Sequence, residues 1–207
     1  MKKTHGWRRR ARSLKEKYIL DAAERVIGRS GGRLITMQDI VDELGCSKSL
    51  PYVYFRNKRE LLQKVCDRRI GILSEMVHGV MADANGPLES LKAALQAVYC
   101  FRHTNKAFFQ AVQPSALLSL HFLRNPRGTA PDQLAELIQT IRDRLQMAQR
   151  QKLIRTDLSP DTLLMFIDAT AFTQIGDIAQ SPQSRATLLW ELTATGLQGR
   201  VHGDGNA

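Results

Sequence analysis

The sequence predicts an all-α fold of about nine helices, in which a small N-terminal three-helix module precedes a larger helical domain. Apolar residues recur at helical spacing along most of the chain, and glycines and prolines separate the periodic segments. No stretch alternates as a strand would. We expect a basic arm over residues 1–14, a first domain over 15–60, a second domain over 61–200 and a flexible tail over 201–207.

Basic charge is concentrated in the first third of the 207-residue chain, whose formal net charge is +10. Met1 to Arg69 contains 18 lysines and arginines against 8 acidic residues, a net of +10, whereas the remainder has 12 of each. A charge needed only for solubility would be spread along the chain. Concentration in one module predicts a polyanion-binding surface, for which nucleic acid or an anionic membrane would both fit.

Several classes of protein are disfavoured by the sequence. No apolar run approaches the roughly 20 residues that span a bilayer, and the basic N-terminus is not followed by the apolar segment of a secretory signal. We therefore expect a cytoplasmic protein without a membrane partner. The three scattered cysteines predict neither a disulfide framework nor a metal site, and we expect no cofactor. No catalytic set or phosphate-binding glycine loop is present, so an enzyme is not expected.

Two consecutive short helices are predicted near the N-terminus, after a first helix from about Lys15 to Ile27. Thr36 can cap the second helix, with Asp39 completing a capping box, and Gly45 ends it. Ser47 can cap a third helix after a tight turn. Two short helices joined in this way form the helix-turn-helix pattern.

The third predicted helix contains CSKSLPYVYFRNK, a mixture of aromatic and basic residues that a packing element does not need. Lys48, Ser49 and Leu50 would face outward where a helix meets base edges, and Tyr52 could donate to a backbone phosphate. Tyr54 and Phe55 would either anchor the helix to its own domain or reach the flanking DNA strand. The alternative is a short amphipathic helix whose aromatic residues are simply core.

These segments resemble the TetR/AcrR-type bacterial transcriptional regulators. The resemblance rests on ILDAAERVI and on ITMQDIVDELGCSKSLPYVYFRNKRELL, and it covers about residues 15–66. It implies a DNA-binding helix-turn-helix domain followed by a divergent ligand-binding and dimerisation domain. Pro51 departs from the family's usual leucine, and we expect it to remove an intrahelical hydrogen bond and distort the first turn.

The resemblance also implies roles for individual residues. Thr36, Tyr52 and Lys58 correspond to phosphate contacts, while Met37, Lys48, Ser49 and Leu50 correspond to positions that often meet bases. Val53 is a weaker candidate. The predicted DNA-binding residues are therefore Thr36, Met37, Ser47, Lys48, Ser49, Leu50, Tyr52, Val53, Tyr54 and Lys58.

The arginine cluster at residues 8–12 precedes the first predicted helix. One hypothesis is a flexible arm that enters an adjacent minor groove, as basic N-terminal arms do. The alternative is a disordered, solvated tail.

The neutral C-terminal part predicts dimerisation and ligand sensing. The last two helices carry the candidate dimer interface: Leu164, Ile167, Ala171, Ala186, Leu189, Trp190, Thr193 and Leu197. These stripes could also be internal core only. An apolar pocket could be lined by Phe108, Phe109, Phe122, Met147, Met165, Phe166 and Phe172, although plain core explains most of them equally well.

The function expected from these observations is a homodimeric transcriptional repressor. It would bind a near-palindromic operator in double-stranded DNA and be released by a small, largely apolar effector. The alternative is a ligand-independent DNA-binding protein of the same fold that signals to a protein partner. That alternative predicts no cavity and no effect of small molecules on DNA binding.

Overall fold

The computed structural model describes residues 3–31, 33–106, 108, 132–172 and 181–198. Every long regular element in these ranges is a helix, which confirms the predicted all-α fold. The eight numbered helices are α1 (Lys3–Arg29), α2 (Met37–Leu44), α3 (Leu50–Tyr54), α4 (Lys58–Ala82), α5 (Pro87–Thr104), α6 (Asp132–Arg150), α7 (Pro160–Phe172) and α8 (Pro182–Gln198).

The chain forms two compact units, and the boundary lies within α4. The first unit comprises Met1–Arg69 together with Asn105–Ser115, and the second comprises Ile70–Thr104 and Ala116–Ala207. The predicted boundary at residue 60/61 thus precedes the division by contacts. Because α4 is continuous across residues 69 and 70 and Gly71 does not interrupt it, the sequence pattern gives no helix break there to mark the division.

The first unit is built around the predicted apolar positions of α1 and α2. Ile19, Ala22, Ala23 and Ile27 of α1 are buried, and α1 packs against α2. Ile40 of α2 is also fully buried. The helical spacing of these residues in the sequence therefore reflects a genuine core.

Helix α1 begins at Lys3 rather than near Lys15, which is a correction to the predicted flexible arm. The arginine cluster at residues 8–12 accordingly lies on a helix. Arginine, alanine, leucine, lysine and glutamate dominate residues 8–17, and all of them have high helix propensity. Sequence periodicity missed this extension because its apolar residues do not continue the core-facing side of the helix.

The second unit contains a buried polar cluster at the packing of α5, α7 and α8. The Tyr99 hydroxyl lies 2.9 Å from Thr193 Oγ1 and 3.2 Å from Thr170 Oγ1. Burial raises the pKa of Tyr99, so the phenol stays protonated. These bonds satisfy the polar atoms that the three helices bring into the core.

No helix among the described residues is long and apolar enough to cross a membrane.

Candidate nucleic-acid interface

Helix α2 begins and ends as the sequence predicts. Thr36 Oγ1 accepts from the Asp39 backbone N–H at 3.2 Å, and Asp39 Oδ2 accepts from the Thr36 N–H at 2.6 Å. The latter bond lowers the pKa of Asp39. Gly45 ends the helix with φ of 59°, a left-handed conformation that favours glycine. The turn that follows α2 thus has a defined direction.

Helix α3 begins at Leu50, later than the cap at Ser47 predicted. Ser47 to Ser49 form a turn in which the Ser47 and Ser49 hydroxyls lie 3.2 Å apart, and Ser49 occupies the cap position without a side-chain capping bond. The predicted cap at Ser47 is therefore wrong. The Ser47 hydroxyl instead pairs with that of Ser49.

Pro51 lies in the first turn of α3 and does not distort it. Because the first four N–H groups of a helix have no intrahelical partner, a proline there removes no helical hydrogen bond. The Val53 N–H donates to Ser49 O at 3.2 Å, and the Phe55 N–H donates to Pro51 O at 2.9 Å. The prediction that Pro51 removes an intrahelical hydrogen bond is therefore wrong, because the helix begins at Leu50, later than predicted.

The predicted DNA-contacting residues divide by exposure. Tyr52 and Val53 are 52% and 67% exposed, whereas Phe55 is buried. The exposed members of the predicted set are Thr36, Ser47, Lys48, Ser49, Tyr52 and Val53, and the half-buried ones are Met37, Leu50, Tyr54 and Lys58. The two tyrosines therefore differ in role: Tyr52 points into solvent, while Tyr54 is partly packed.

Lys58 is held at the start of α2 by a contact that the sequence did not reveal. Its Nζ donates to Ile35 O at 2.9 Å, a partly buried bond across 23 residues. Ile35 immediately precedes Thr36, the N-cap of α2. The bond leaves two N–H groups of the ammonium for an anion, in the neighbourhood of an N-terminus that itself attracts negative charge.

Ion pairs fix α1 against both α2 and α4. Arg25 Nε lies 2.6 Å from Glu43 Oε1, and Arg29 also pairs with Glu43. The Arg25 and Arg29 side chains lower the pKa of Glu43. Part of the basic excess in this unit is therefore structural, because these arginines have carboxylate partners.

Two further arginines join α4 to α1. Arg68 Nη1 lies 2.5 Å from Asp21 Oδ1, and Arg69 Nη2 lies 2.7 Å from Glu24 Oε2. Sequence reasoning missed all of these pairs. The available signal was a set of acidic residues inside a basic module, but only the fold shows which cation each of them meets.

The described residues of the predicted pocket are divided between the two units. Phe108 is buried in the first unit, where the Arg69 guanidinium lies 5.9 Å from its ring centroid. Met147, Met165 and Phe166 belong to the second unit and are 38%, 41% and 37% exposed. Phe109, Phe122 and the side chain of Phe172 lie outside the described residues.

Most of the predicted dimer residues lie in the core of the single chain. The buried members are Leu164, Ile167, Ala186, Leu189, Thr193 and Leu197, and Trp190 is half-buried. Their burial is explained by the packing of α8 against α5 and α7. The Ala171 side chain lies outside the described residues. The exposed apolar residues of α7 and α8 are instead Met165, Phe166 and Leu192.

Comparison with known proteins matches the first unit to a family of regulators. Residues 19–65 match the model of the tetR family of bacterial regulatory proteins. The HTH-type transcriptional regulator BetI of Agrobacterium fabrum is 34% identical over 86 residues, which cover 42% of this chain and 42% of BetI. The match thus spans less than half the length of that relative.

Solved structures of similar fold extend over nearly the whole chain. The fatty acid degradation regulator FadR from Bacillus halodurans has a TM-score of 0.68 and 18% identity, covering 90% of this chain and 97% of its own. AibR, solved in complex with isovaleryl coenzyme A and operator DNA, has a TM-score of 0.62 and 16% identity, covering 89% and 98%. Residues 19–65 thus match the tetR family of bacterial regulatory proteins, and the chain shares the fold of these solved regulators.

Proposed function

We propose that the protein is a homodimeric transcriptional repressor that binds a near-palindromic operator and is released by a small, largely apolar ligand. The observation that carries the DNA-binding part is the exposure of Lys48, Ser49, Tyr52 and Val53 on one short turn and helix. This turn and helix follow the capped helix α2. We call the surface formed by these four residues the reading edge.

The reading edge has the chemistry of a major-groove contact. Lys48 and Ser49 offer donors to base edges, and the Val53 side chain suits contact with a thymine methyl group. The exposed hydroxyl of Tyr52 suits a backbone phosphate. A rigid scaffold supports these roles, because α1 is joined to α2 through Glu43 and to α4 through Asp21.

Phosphate contacts are proposed for Thr36 and Lys58 at the start of α2. The Thr36 hydroxyl is exposed, and the Lys58 ammonium is held at the carbonyl of the preceding residue, Ile35. A backbone phosphate there would meet the Lys58 ammonium and the N-terminus of a helix. The Thr36 hydroxyl donates to Asp39 Oδ2 at 2.9 Å and would have to turn from it to contact the phosphate. Such contacts position the protein on the duplex, and the reading edge then provides the sequence preference.

Selection from a pool of random duplexes tests this DNA-binding function. We expect the bound duplexes to share an inverted motif with half-site centres about one helical turn, ~10 bp, or somewhat more apart. Recovery of duplexes without a shared motif, bound only at low salt, would refute the proposal.

Variants of the reading edge sharpen the test. Lys48→Ala should weaken binding to the selected duplex about tenfold or more, the cost of a lost base or phosphate contact. Lys92→Ala on α5 removes the same charge outside the first unit and is the matched control, so its affinity should stay near that of the parent. Equal losses in the two variants would mean that net charge, and not the reading edge, determines binding.

A dimer interface is proposed at the exposed apolar residues Met165, Phe166 and Leu192 of α7 and α8. Gly196 supports this surface because it allows close approach: a Cβ added there would lie 2.5 Å from Phe166 Cζ. The tip of the Phe166 ring therefore lies close to the glycine, with 37% of the residue exposed. Exposed apolar area on two adjacent helices is typical of an interface between copies.

Sedimentation velocity of Leu192→Glu tests the interface. Leu192 is 54% exposed, so a glutamate there is tolerated by the fold but would be buried without a partner in a dimer. We expect monomers and a large loss of affinity for the full operator. Leu153→Glu, at a residue that is 40% exposed in the loop after α6, is the matched control and should remain dimeric. A dimeric Leu192→Glu protein would contradict the proposed surface.

The effector is proposed to be an apolar acyl compound, by analogy with AibR and its isovaleryl coenzyme A. Release would require the ligand to bind more tightly to the form that does not hold both half-sites. Gel shifts of the selected operator with a series of acyl-coenzyme A thioesters test this. An operator complex that no member of the series weakens would favour the ligand-independent alternative.

A further inference from the structure

The N-terminal half of α1 carries an exposed apolar stripe that the proposed function does not use. Trp7, Leu14 and Tyr18 are 72%, 67% and 54% exposed, and Ala11 is half-buried between them in the sequence. At 100° per residue, these four positions fall within an arc of about 60° on the helix surface. We call Trp7, Ala11, Leu14 and Tyr18 the N-terminal stripe.

The N-terminal stripe is not a continuation of the hydrophobic core. The buried residues of the second half of α1, from Ile19 to Ile27, are centred about 120° around the helix from the stripe. The stripe therefore does not serve the packing of α1 against α2. Three large apolar side chains on one line of an exposed helix indicate a surface that another body covers.

Cations lie on both sides of the N-terminal stripe. Helical geometry puts Arg10 and Lys17 on one flank and Lys15 on the other, and all three are exposed. Residues 3–18 contain seven lysines and arginines against one glutamate. A second copy of this helix is thereby disfavoured as the occupant, because two such charges would repel each other.

We propose that the N-terminal stripe docks on an anionic phospholipid surface. An apolar face flanked by basic residues is the arrangement of helices that lie in the bilayer interface, with apolar side chains in the acyl boundary and cations at the headgroups. Tryptophan and tyrosine, at the two ends of this stripe, favour that interface. Duplex DNA would use the cations but would leave the apolar line between them without a partner.

This inference revises the expectation that the protein has no membrane partner, and it is independent of the proposed operator binding. That expectation rested on the lack of an apolar run long enough to span a bilayer, which does not bear on a helix that lies at the bilayer surface. Once residues 3–18 form a helix, the residues of the N-terminal stripe align into one face. Docking on lipid requires only the exposed first half of α1, so loss of the reading edge leaves it intact.

Flotation of the full chain with vesicles tests the proposal. We expect the protein to float with mixed phosphatidylcholine and phosphatidylglycerol vesicles and not with phosphatidylcholine alone. Trp7→Ser/Leu14→Ser should reduce vesicle binding about tenfold or more without changing the net charge. The matched control is Leu34→Ser/Leu153→Ser, which removes two exposed leucines elsewhere and should bind as the parent does.

A second pair of variants separates docking from general charge attraction. Arg10→Gln/Lys15→Gln removes two cations beside the stripe, and Arg9→Gln/Arg12→Gln removes two from the far side of the helix. The first pair should lose about fivefold in vesicle affinity per cation, and the second pair distinctly less. A blue shift of tryptophan emission on binding, lost in Trp7→Phe while flotation is retained, would locate the contact at Trp7.

Three results would overturn the proposal. The first is a parent chain that does not float with the anionic vesicles. The second is a Trp7→Ser/Leu14→Ser variant, with the thermal unfolding curve of the parent, that floats equally well. The third is a stripe variant that loses affinity for duplex DNA and not for vesicles, which would assign the stripe to nucleic acid.

Discussion

Replacing Asp168 by asparagine should stabilise the protein at neutral pH, which is unusual for a carboxylate that has a cation nearby. Asp168 lies on α7 and is half-buried, and burial raises its pKa from 3.8 to about 6 despite the opposing attraction of Arg102. Burial also lowers the pKa of Arg102, to about 10, so that group stays charged at neutral pH. Both ionised side chains are destabilised in this environment, because the free-energy cost of desolvating them exceeds the gain from their mutual attraction.

The sign of the pH dependence follows from the raised pKa. Between pH 4 and 6 the folded state holds a proton on Asp168 that the unfolded state has released, so the free energy of unfolding falls as pH rises through this window. The stabilisation is complete below the unfolded value of 3.8 and is lost above about 6. A shift of about two pKa units corresponds to about 2–3 kcal/mol.

Urea unfolding of the parent and of Asp168→Asn across pH 4 to 8 measures this effect. Asparagine resembles the protonated carboxyl, so the variant should match the parent near pH 4 and exceed it by up to about 2–3 kcal/mol at pH 8. Asp157→Asn is the control of opposite sign, because the Arg155 side chain lowers the pKa of Asp157. A variant less stable than the parent at pH 8, or one whose advantage does not change with pH, would refute the reasoning.

Three further predictions concern the first unit. Gly45→Ala should cost about 1–2 kcal/mol in the free energy of unfolding, because φ at Gly45 is 59°. Gly28→Ala, within α1, is the control and should be neutral or stabilising. Thermal melts compare the two variants, and equal effects would contradict the left-handed cap. Thr36→Ala should cost about 1 kcal/mol in the free energy of unfolding, measured by urea titration, because the cap of α2 is lost. It should also weaken operator binding, measured by gel shift. An unchanged unfolding midpoint would argue against the cap. Lys58→Met should lower the free energy of unfolding by about 1 kcal/mol, since the bond to Ile35 is lost. It should also reduce the slope of log operator affinity against log salt concentration by about 0.9. An unchanged slope would exclude a phosphate contact.

Local signals predicted α2 and its boundaries from the sequence because each acts over a few residues. Thr36, Asp39 and Gly45 stand at the spacings that a capping box and a left-handed C-cap require, and all three take those roles. The apolar spacing of Ile40 and Leu44 likewise predicts their burial. Where neighbours in sequence decide the structure, a single sequence is sufficient.

Errors arose where a contact between distant residues, or the competition of two local signals, decides the outcome. The bond between Lys58 and Ile35 spans 23 residues and has no sequence signature. Ser47 matched the pattern of a cap but pairs with Ser49 instead, and the helix begins at Leu50. A pattern can nominate a cap, but it does not rank one hydroxyl partner above another.

The predicted dimer-interface residues show another limit of sequence periodicity. It predicts which face of a helix is buried, but not which neighbouring element covers that face. Leu189 and Thr193 recur at the spacing of an interface, yet α5 and α7 cover them within the chain. The exposed Leu192 is next to Thr193 in the sequence, but it is not among the predicted interface residues. Separating internal core from interface requires knowledge of which neighbours the helix already has.

The N-terminal half of α1 extends the same reasoning to exposed faces. In a helix that packs on one side, the apolar stripe and the core-facing side coincide, as they do from Ile19 to Ile27. From Trp7 to Tyr18 they do not coincide, although the helix is continuous. The packing of α1 against α2 does not account for this offset, because a side chain about a third of a turn away from the core-facing side faces solvent. Under the proposed docking, the rotation of the apolar face gives one helix two environments, the protein core after Ile19 and the lipid surface before it.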